Sequence, residues 1–313
     1  MPPICITLGD PAGIGPEVTF KALETCHEHP GILLFGHPDT IYNASHSLQI
    51  QPNTDTIQPN AIHAMPIKTT HEPNHNHNDP TNAAIAHASL IQALDYCKKH
   101  ACPLVTAPIS KAGFSAANIP FTDHTTLLQH YFKCPNASMA FYSKPLKVVL
   151  ATIHIPLNQV EASLTPNSIR SSIQNAHAFA QTLKRSHPTI AIAGLNPHAG
   201  EQGQFGTFET NTLGPIIAST RLSSGQLIGP ISPDTVFRDA TENKADIVIA
   251  MYHDQGLIPV KLLAFDTAVN VTLGLPICRT SPDHGTAYDI AHKNIANPSA
   301  MAAAINYAIT YGQ

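Results

Sequence analysis

Short apolar runs punctuate this chain, and each stops abruptly at a polar residue, a proline or a glycine. Ile4–Leu8, Gly31–Phe35, Leu104–Ala107, Val148–Ile153, Ile190–Leu195 and Ile247–Met251 have the length of buried parallel strands. Between them the spacing turns helical. A helix is predicted from Pro16 to about His27, since Pro16 and Glu17 suit a first turn. A second is expected over Thr81–His100, rich in alanine with Ile85, Leu90, Ile91 and Leu94 at apolar positions. Others are expected over Phe121–Tyr131, over Pro166–Arg185 with Thr165 as N-cap, and from Phe205 to about Ala218. Weak strand candidates lie near 48–50 and 61–67, and Gly229–Val236 reads as a loop. Strands alternating with helices predict an α/β architecture with a largely parallel sheet.

Three of the runs end alike. His154 in VVLATIHIPL, His198 in IAIAGLNPHAGE and His253 in DIVIAMYHDQG each close or directly follow a strand. In open α/β sheets, ligands collect beyond the carboxyl ends of the strands. Neutral imidazoles placed there suit zinc and other divalent ions, and three protein ligands leave a position open for substrate or water. The spacing is long-range, without the specificity of a HExxH signature, so a structural role for each histidine stays open on local grounds. Lys261 and Arg279 sit in apolar surroundings, LIPVKLLAF and GLPICRTS. An uncompensated charge there is costly, and an anionic ligand gripped by the guanidinium would compensate it. Solvent-facing strand ends or an internal ion pair are the alternatives. Gly9, Gly13 and Gly15 follow a strand and precede a helix, but lack the G-x-G-x-x-G spacing and any Walker lysine. A tight turn and a phosphate cradle at a helix start fit them equally.

Composition narrows the class. At 313 residues the chain can hold two subdomains, and its 43% hydrophobic content is ordinary for a globular protein. The formal charge of −4 argues against general nucleic-acid or membrane-surface binding. Six cysteines without a CxxC pair read as reduced thiols, with Cys5, Cys97 and Cys278 in or beside apolar runs as small core residues. MPPICITLGD lacks the features of a signal peptide, and no apolar run approaches the roughly 20 residues that span a bilayer. A cytoplasmic protein is expected. Of the nineteen histidines, His71, His75 and His77 fall in HEPNHNHNDP, which reads as a solvated loop in preference to a surface metal site.

Several segments together resemble the 4-hydroxythreonine-4-phosphate dehydrogenase (PdxA) family. They are TLGDPAGIGPE at 7–17, TAPISK at 106–111, FTDHTT at 121–126, GLNPHAGE at 194–201, MYHDQG at 251–256 and VNVTLGLPICRTSPDHGTAYDIA at 269–291. GDPAGIGPEV at 9–18 and HGTAYDIAHKNIANP at 284–298 are also similar to segments of isocitrate and isopropylmalate dehydrogenases. The resemblance implies an isocitrate/isopropylmalate-dehydrogenase-like α/β fold of two subdomains with a cleft between them. Residues 1–112 plus 265–313 would form the first, and 113–264 the second. It implies NAD- or NADP-dependent oxidation of 4-phosphohydroxy-L-threonine at C3, then decarboxylation to 3-amino-2-oxopropyl phosphate, in pyridoxal 5′-phosphate biosynthesis.

Carried over by position, the resemblance makes His154, His198 and His253 ligands of a divalent metal (zinc, magnesium or cobalt). It makes His124, Thr125, Lys261, Asn270 and Arg279 the substrate-binding set. His284, Gly285, Thr286, Ala287 and Asn297 would hold the dinucleotide; apart from the resemblance, Asp234 in GPISPDTVF is expected to orient a metal-bound histidine or approach the ion itself. A homodimer with its active site at the interface is implied. One departure stands out: the family's GHTE is here Asp123-His124-Thr125-Thr126, which alters charge beside the substrate histidine. Dehydrogenases of related 4-phosphorylated threonate or erythronate share most of these motifs. Without the resemblance, three histidines around a metal would equally suit a phosphohydrolase.

Overall fold

The computed structural model describes residues 2–43, 48–52 and 56–312. Its strands, in chain order, are β1 (Ile4–Thr7), β2 (Ile32–Gly36), β3 (Ile50–Gln51), β4 (Ile62–Pro66), β5 (Leu104–Thr106), β6 (Ser138–Tyr142), β7 (Lys147–Leu150), β8 (Thr189–Ala193), β9 (Gln226–Ile231), β10 (Ile247–Ala250), β11 (Val269–Leu273) and β12 (Arg279–Pro282). Helices intervene, as the α/β pattern requires. The chain divides into two compact units. One comprises Met1–Pro135, Val269–Val271 and Leu275–Gln313, and the other Asn136–Ala268 with Thr272–Gly274. Both chain ends therefore lie in the first unit, which extends to Pro135 and includes the helix His124–Phe132.

In the first unit the strand order is β3-β4-β2-β1-β5-β12, all paired in parallel. The order reverses at β1, whose neighbours are β2 and β5, and such switch points are where open sheets receive ligands. The core includes Cys5, Leu33, Phe35, Leu104 and Phe114, packed against the alanine-rich helix Pro80–His100. The Asp79 side chain caps that helix by accepting from the Thr81 amide.

In the second unit the order is β6-β7-β10-β8-β9, parallel except for β6 against β7. β10 is central and fully buried, as its continuous IVIA pattern demands. Val148, Val248, Ala250, Leu257 and Val260 belong to its core. The predicted N-cap Thr165 does cap the helix Pro166–Thr182, accepting from Ser168.

Local departures have physical causes. β7 stops at Leu150, short of the expected Ile153, because Ala151 and Thr152 turn to hydrogen-bond the end of β10 at Ala250 and Met251. The segment expected as one helix from Phe205 becomes a wide turn at Glu209–Leu213, followed by the short helix Gly214–Ser219. Gly229–Val236 is half strand, since β9 ends only at Ile231; Gly229 and Pro230 hide its apolar pattern. LIPVKLLAF belongs to the helix His253–Ala264, with Pro259 inside it, so Lys261 stands on a helix and is half-buried.

Candidate active site

In the second unit the three predicted histidines each follow one of three neighbouring strands. β7, β10 and β8 are adjacent and parallel, so their carboxyl ends lie side by side. His154 follows β7, His253 opens the helix after β10, and His198 follows β8. The His154 and His253 ring centroids are 5.5 Å apart. Two side chains stitch the strand ends together. The Thr152 hydroxyl donates to the Met251 carbonyl at 2.7 Å. Gln255 accepts from the Met251 amide at 2.6 Å and donates to the Gly194 carbonyl at 2.8 Å. Sequence reasoning passed over Gln255, although MYHDQG contains it.

His253 Nδ1 lies 2.7 Å from an Asp254 carboxylate oxygen, which can only accept. Nδ1 therefore carries the proton, and the Nε2 lone pair is left to face a ligand, the usual orientation of a metal-binding imidazole. Asp234 is hydrogen-bonded by the Ser232 hydroxyl at 2.5 Å. That bond, with smaller contributions from His198 and Arg238, holds its carboxyl below the usual range. The Lys261 ammonium sits 5.8 Å from the centre of the Phe265 ring.

The first unit holds a buried cation. Arg279 begins β12, paired with Leu104 of β5, and is only 3% exposed. Its guanidinium donates to the Thr106 hydroxyl at 2.6 Å. Burial lowers its pKa to about 10, with the Asp123 charge opposing. Thr106 was not singled out from the sequence, though it stands in TAPISK. His124 is the first residue of its helix, and burial, then the Arg279 charge, holds its imidazole well below the usual range. His124 Nε2 and Asn270 Oδ1 are both enclosed with no hydrogen-bond partner among the described residues. Thr125, next in sequence to His124, is buried, 7% exposed. The departure Asp123…Thr126 is a capping box. Asp123 accepts from the Thr126 amide at 2.9 Å, and the Thr126 hydroxyl accepts from the Asp123 amide.

The predicted cofactor loop is anchored to the glycine turn of the same unit. The Ile14 amide donates to the Thr286 carbonyl at 2.9 Å. A Cβ on Gly13 would lie 2.9 Å from that carbonyl, so only glycine allows the approach. The Tyr288 hydroxyl donates to Asp10 at 2.6 Å, and Asp10 also accepts from Ala12. Asp10 is 1% exposed, and burial raises its carboxyl pKa. Lys21 bonds the carbonyls of Asn294 and Ala296, fixing the far end of the loop. His284 Nδ1 bonds the Gly285 carbonyl, and its Nε2 is enclosed with no partner among the described residues. Ala287 adopts a left-handed φ of 41°, and Asn297 accepts from Ser299 at the start of the last helix.

HEPNHNHNDP is exposed but not idle. His77 stacks on Tyr288 at 4.4 Å, and the ring nitrogens of His75 and His292 meet at 3.1 Å. Among the described residues, one set of three potential metal donors has all its ligand atoms within 4.8 Å: His37, Asp39 and Glu72. None of the predicted histidines belongs to it. His37 Nδ1 there accepts the Asp39 amide, which ties up that lone pair.

Residues 28–308 match the family model described as pyridoxal phosphate biosynthetic protein PdxA. The chain is 38% identical to a 4-hydroxythreonine-4-phosphate dehydrogenase from Synechocystis, covering 98% of this chain and 95% of that one. It is 36% identical to the enzyme of the same name from Xanthomonas oryzae, with 97% and 96% covered. A crystal structure of 4-hydroxythreonine-4-phosphate dehydrogenase from Klebsiella pneumoniae superposes with a TM-score of 0.88 at 34% identity, covering 98% and 97%.

Proposed function

Because the chain belongs to the PdxA family of pyridoxal phosphate biosynthetic proteins, we propose that it oxidises 4-phosphohydroxy-L-threonine at C3 with NAD or NADP. The oxidised acid then loses carbon dioxide to give 3-amino-2-oxopropyl phosphate. The observation that carries this reading is Arg279, a buried guanidinium held by Thr106 and electrostatically coupled to a neutral, enclosed His124. A buried guanidinium beside an imidazole whose Nε2 has no partner among the described residues suits an anion.

The donor sets fit the groups this chemistry requires. Three imidazoles at adjacent strand ends, one with its tautomer fixed by Asp254, suit a divalent ion. The enclosed His284 Nε2 and the close approach of Gly13 to Thr286 suit a dinucleotide held by the loop and the glycine turn. When bound, the ion supplies Lewis acidity and the nicotinamide accepts hydride. His154, His198 and His253 would hold the ion, with Asp234 beside His198. Arg279, His124, Thr125 and Asn270 bind and orient the substrate, the guanidinium fixing a phosphate or carboxylate bidentately. Burial around Arg279 strengthens that grip by excluding water. Lys261 binds an anionic group or moves a proton.

The helix His253–Ala264 also carries an apolar face, with Ile258 59%, Leu262 81%, Leu263 49% and, just beyond it, Phe265 71% exposed. A face of that kind directly after a site histidine supports a homodimer with its active site at the interface. Among the described residues no helix is long and apolar enough to cross a membrane. The deciding assay supplies the phosphorylated hydroxythreonine, metal and dinucleotide and follows nicotinamide absorbance. Absence of reduced cofactor with every metal and both dinucleotides would refute the activity.

A further inference from the structure

The loop that presents His198 is built in an unusual way. Five consecutive residues lie in the left-handed region: His198 at φ 51°, Ala199 at 53°, Gly200 at 78°, Glu201 at 40° and Gln202 at 56°. Four of them carry a Cβ, which makes that conformation unfavourable, so the surrounding structure must impose it. Glu209 lies against this turn. Its side chain is 2% exposed, and one carboxylate oxygen accepts from the amides of Leu195 at 2.8 Å and Asn196 at 2.7 Å. The other oxygen accepts from the Asn196 side-chain amide at 3.1 Å. A Cβ on Gly200 would come within 2.7 Å of that second oxygen, so the turn wraps directly over the carboxylate.

A carboxylate is the one side chain that offers acceptors at both positions. Glutamine would present a donor toward one of the three N–H groups. The three bonds come from neutral amides, so the buried charge is balanced by oriented dipoles. The wide helical turn at Glu209–Leu213 aims the carboxylate, and such turns are frequent at functional sites.

We propose that Glu209 is a positioning residue: its carboxylate templates the left-handed turn that holds His198 where a metal ligand is needed. This rests on the reading of His198 as a ligand. Removal of supporting groups around metal ligands costs roughly 10–100-fold in affinity.

The test titrates cobalt(II) into metal-stripped wild type, E209Q, H253A and the control I216A, following the visible ligand-field spectrum at a temperature where circular dichroism shows every variant folded. E209Q should bind roughly 10–100-fold more weakly with an altered spectrum. I216A, which opens the core next to the same segment, should stay within about twofold of wild type. Hydrogen exchange read by mass spectrometry on peptides covering 195–203 provides a metal-free arm. There E209Q should exchange at least about tenfold faster at Leu195 and Asn196. Wild-type cobalt affinity in E209Q, or an equal loss in I216A, overturns the proposal, and so does unchanged exchange at those two amides. If H253A also keeps wild-type affinity, the histidine metal site itself has failed, which is a separate result.

Discussion

The hydroxyl of Tyr288 donates a 2.6 Å hydrogen bond to the buried carboxylate of Asp10, tying the HGTAYDIA loop to the first glycine turn. Burial raises the Asp10 pKa, and the Tyr288 bond works against that rise. Tyr288→Phe leaves the carboxylate without this donor. It should cost about 1–3 kcal/mol of stability. Dinucleotide affinity should fall as well, since the loop loses an anchor. Urea unfolding and fluorescence titration with NAD and NADP measure the two effects. A variant with wild-type stability and wild-type dinucleotide affinity would show that the bond anchors nothing.

His124 makes stability depend on pH. Its pKa is lowered in the folded state, so at mildly acidic pH the unfolded chain binds more protons than the folded one. Stability is therefore full above the ordinary histidine value of about 6.5 and falls as pH drops below it, by up to about 2 kcal/mol at pH 5. His124→Gln removes this contribution, while the other buried histidines contribute equally to both proteins. The loss of urea midpoint between pH 7 and pH 5 should be visibly smaller in the variant. Identical losses would place the His124 proton in water.

Arg279→Lys keeps a positive charge but loses the planar fork that reaches Thr106. We expect kcat/KM for the phosphorylated substrate to fall at least about 10²-fold, in line with truncation of a buried charged contact. Inhibition by inorganic phosphate should weaken in parallel. Full retention of both would remove Arg279 from the substrate site.

His253→Ala should abolish turnover. The side chain is 37% exposed, so the melting temperature should move by only a few degrees. Metal content after reconstitution should fall with the activity. Near-normal turnover would take His253 out of the metal site.

Leu262→Glu places a charge on the most exposed apolar residue of the face next to Lys261. Sedimentation velocity should show the wild type as a dimer and the variant shifted to monomer. A wild type that sediments as a monomer at micromolar concentration would end the dimer reading.

Much of the fold was legible because β1, β2, β5, β7, β8 and β10 are buried apolar runs, the strongest signal a parallel sheet writes into sequence. The strands missed were the less regular ones. β12 opens on Arg279, and its RTSP is buried although polar. β9 contains Gly229 and Pro230. The candidate site was legible where chemistry concentrates in a motif, as at His198 or His253. It was illegible where a residue works through another. Thr106 and Glu209 act by holding Arg279 and the His198 turn, and threonine or glutamate alone announces no such task. The HNHN loop is exposed, as a solvated loop should be, and only its stacking on Tyr288 escaped notice, a long-range contact that no local pattern encodes.

The Asp123–Thr126 capping box also changes how the departure from GHTE should be understood. In the family pattern the acid is the third residue into the helix and the cap position is glycine; here the acid occupies the cap and threonine answers it. The helix start keeps one negative charge either way, so the two differences behave as a single coupled exchange. Asp123→Gly alone would strand a threonine with nothing to reciprocate, and Thr126→Glu alone would crowd two acids onto one turn. Only the two substitutions made together should be silent.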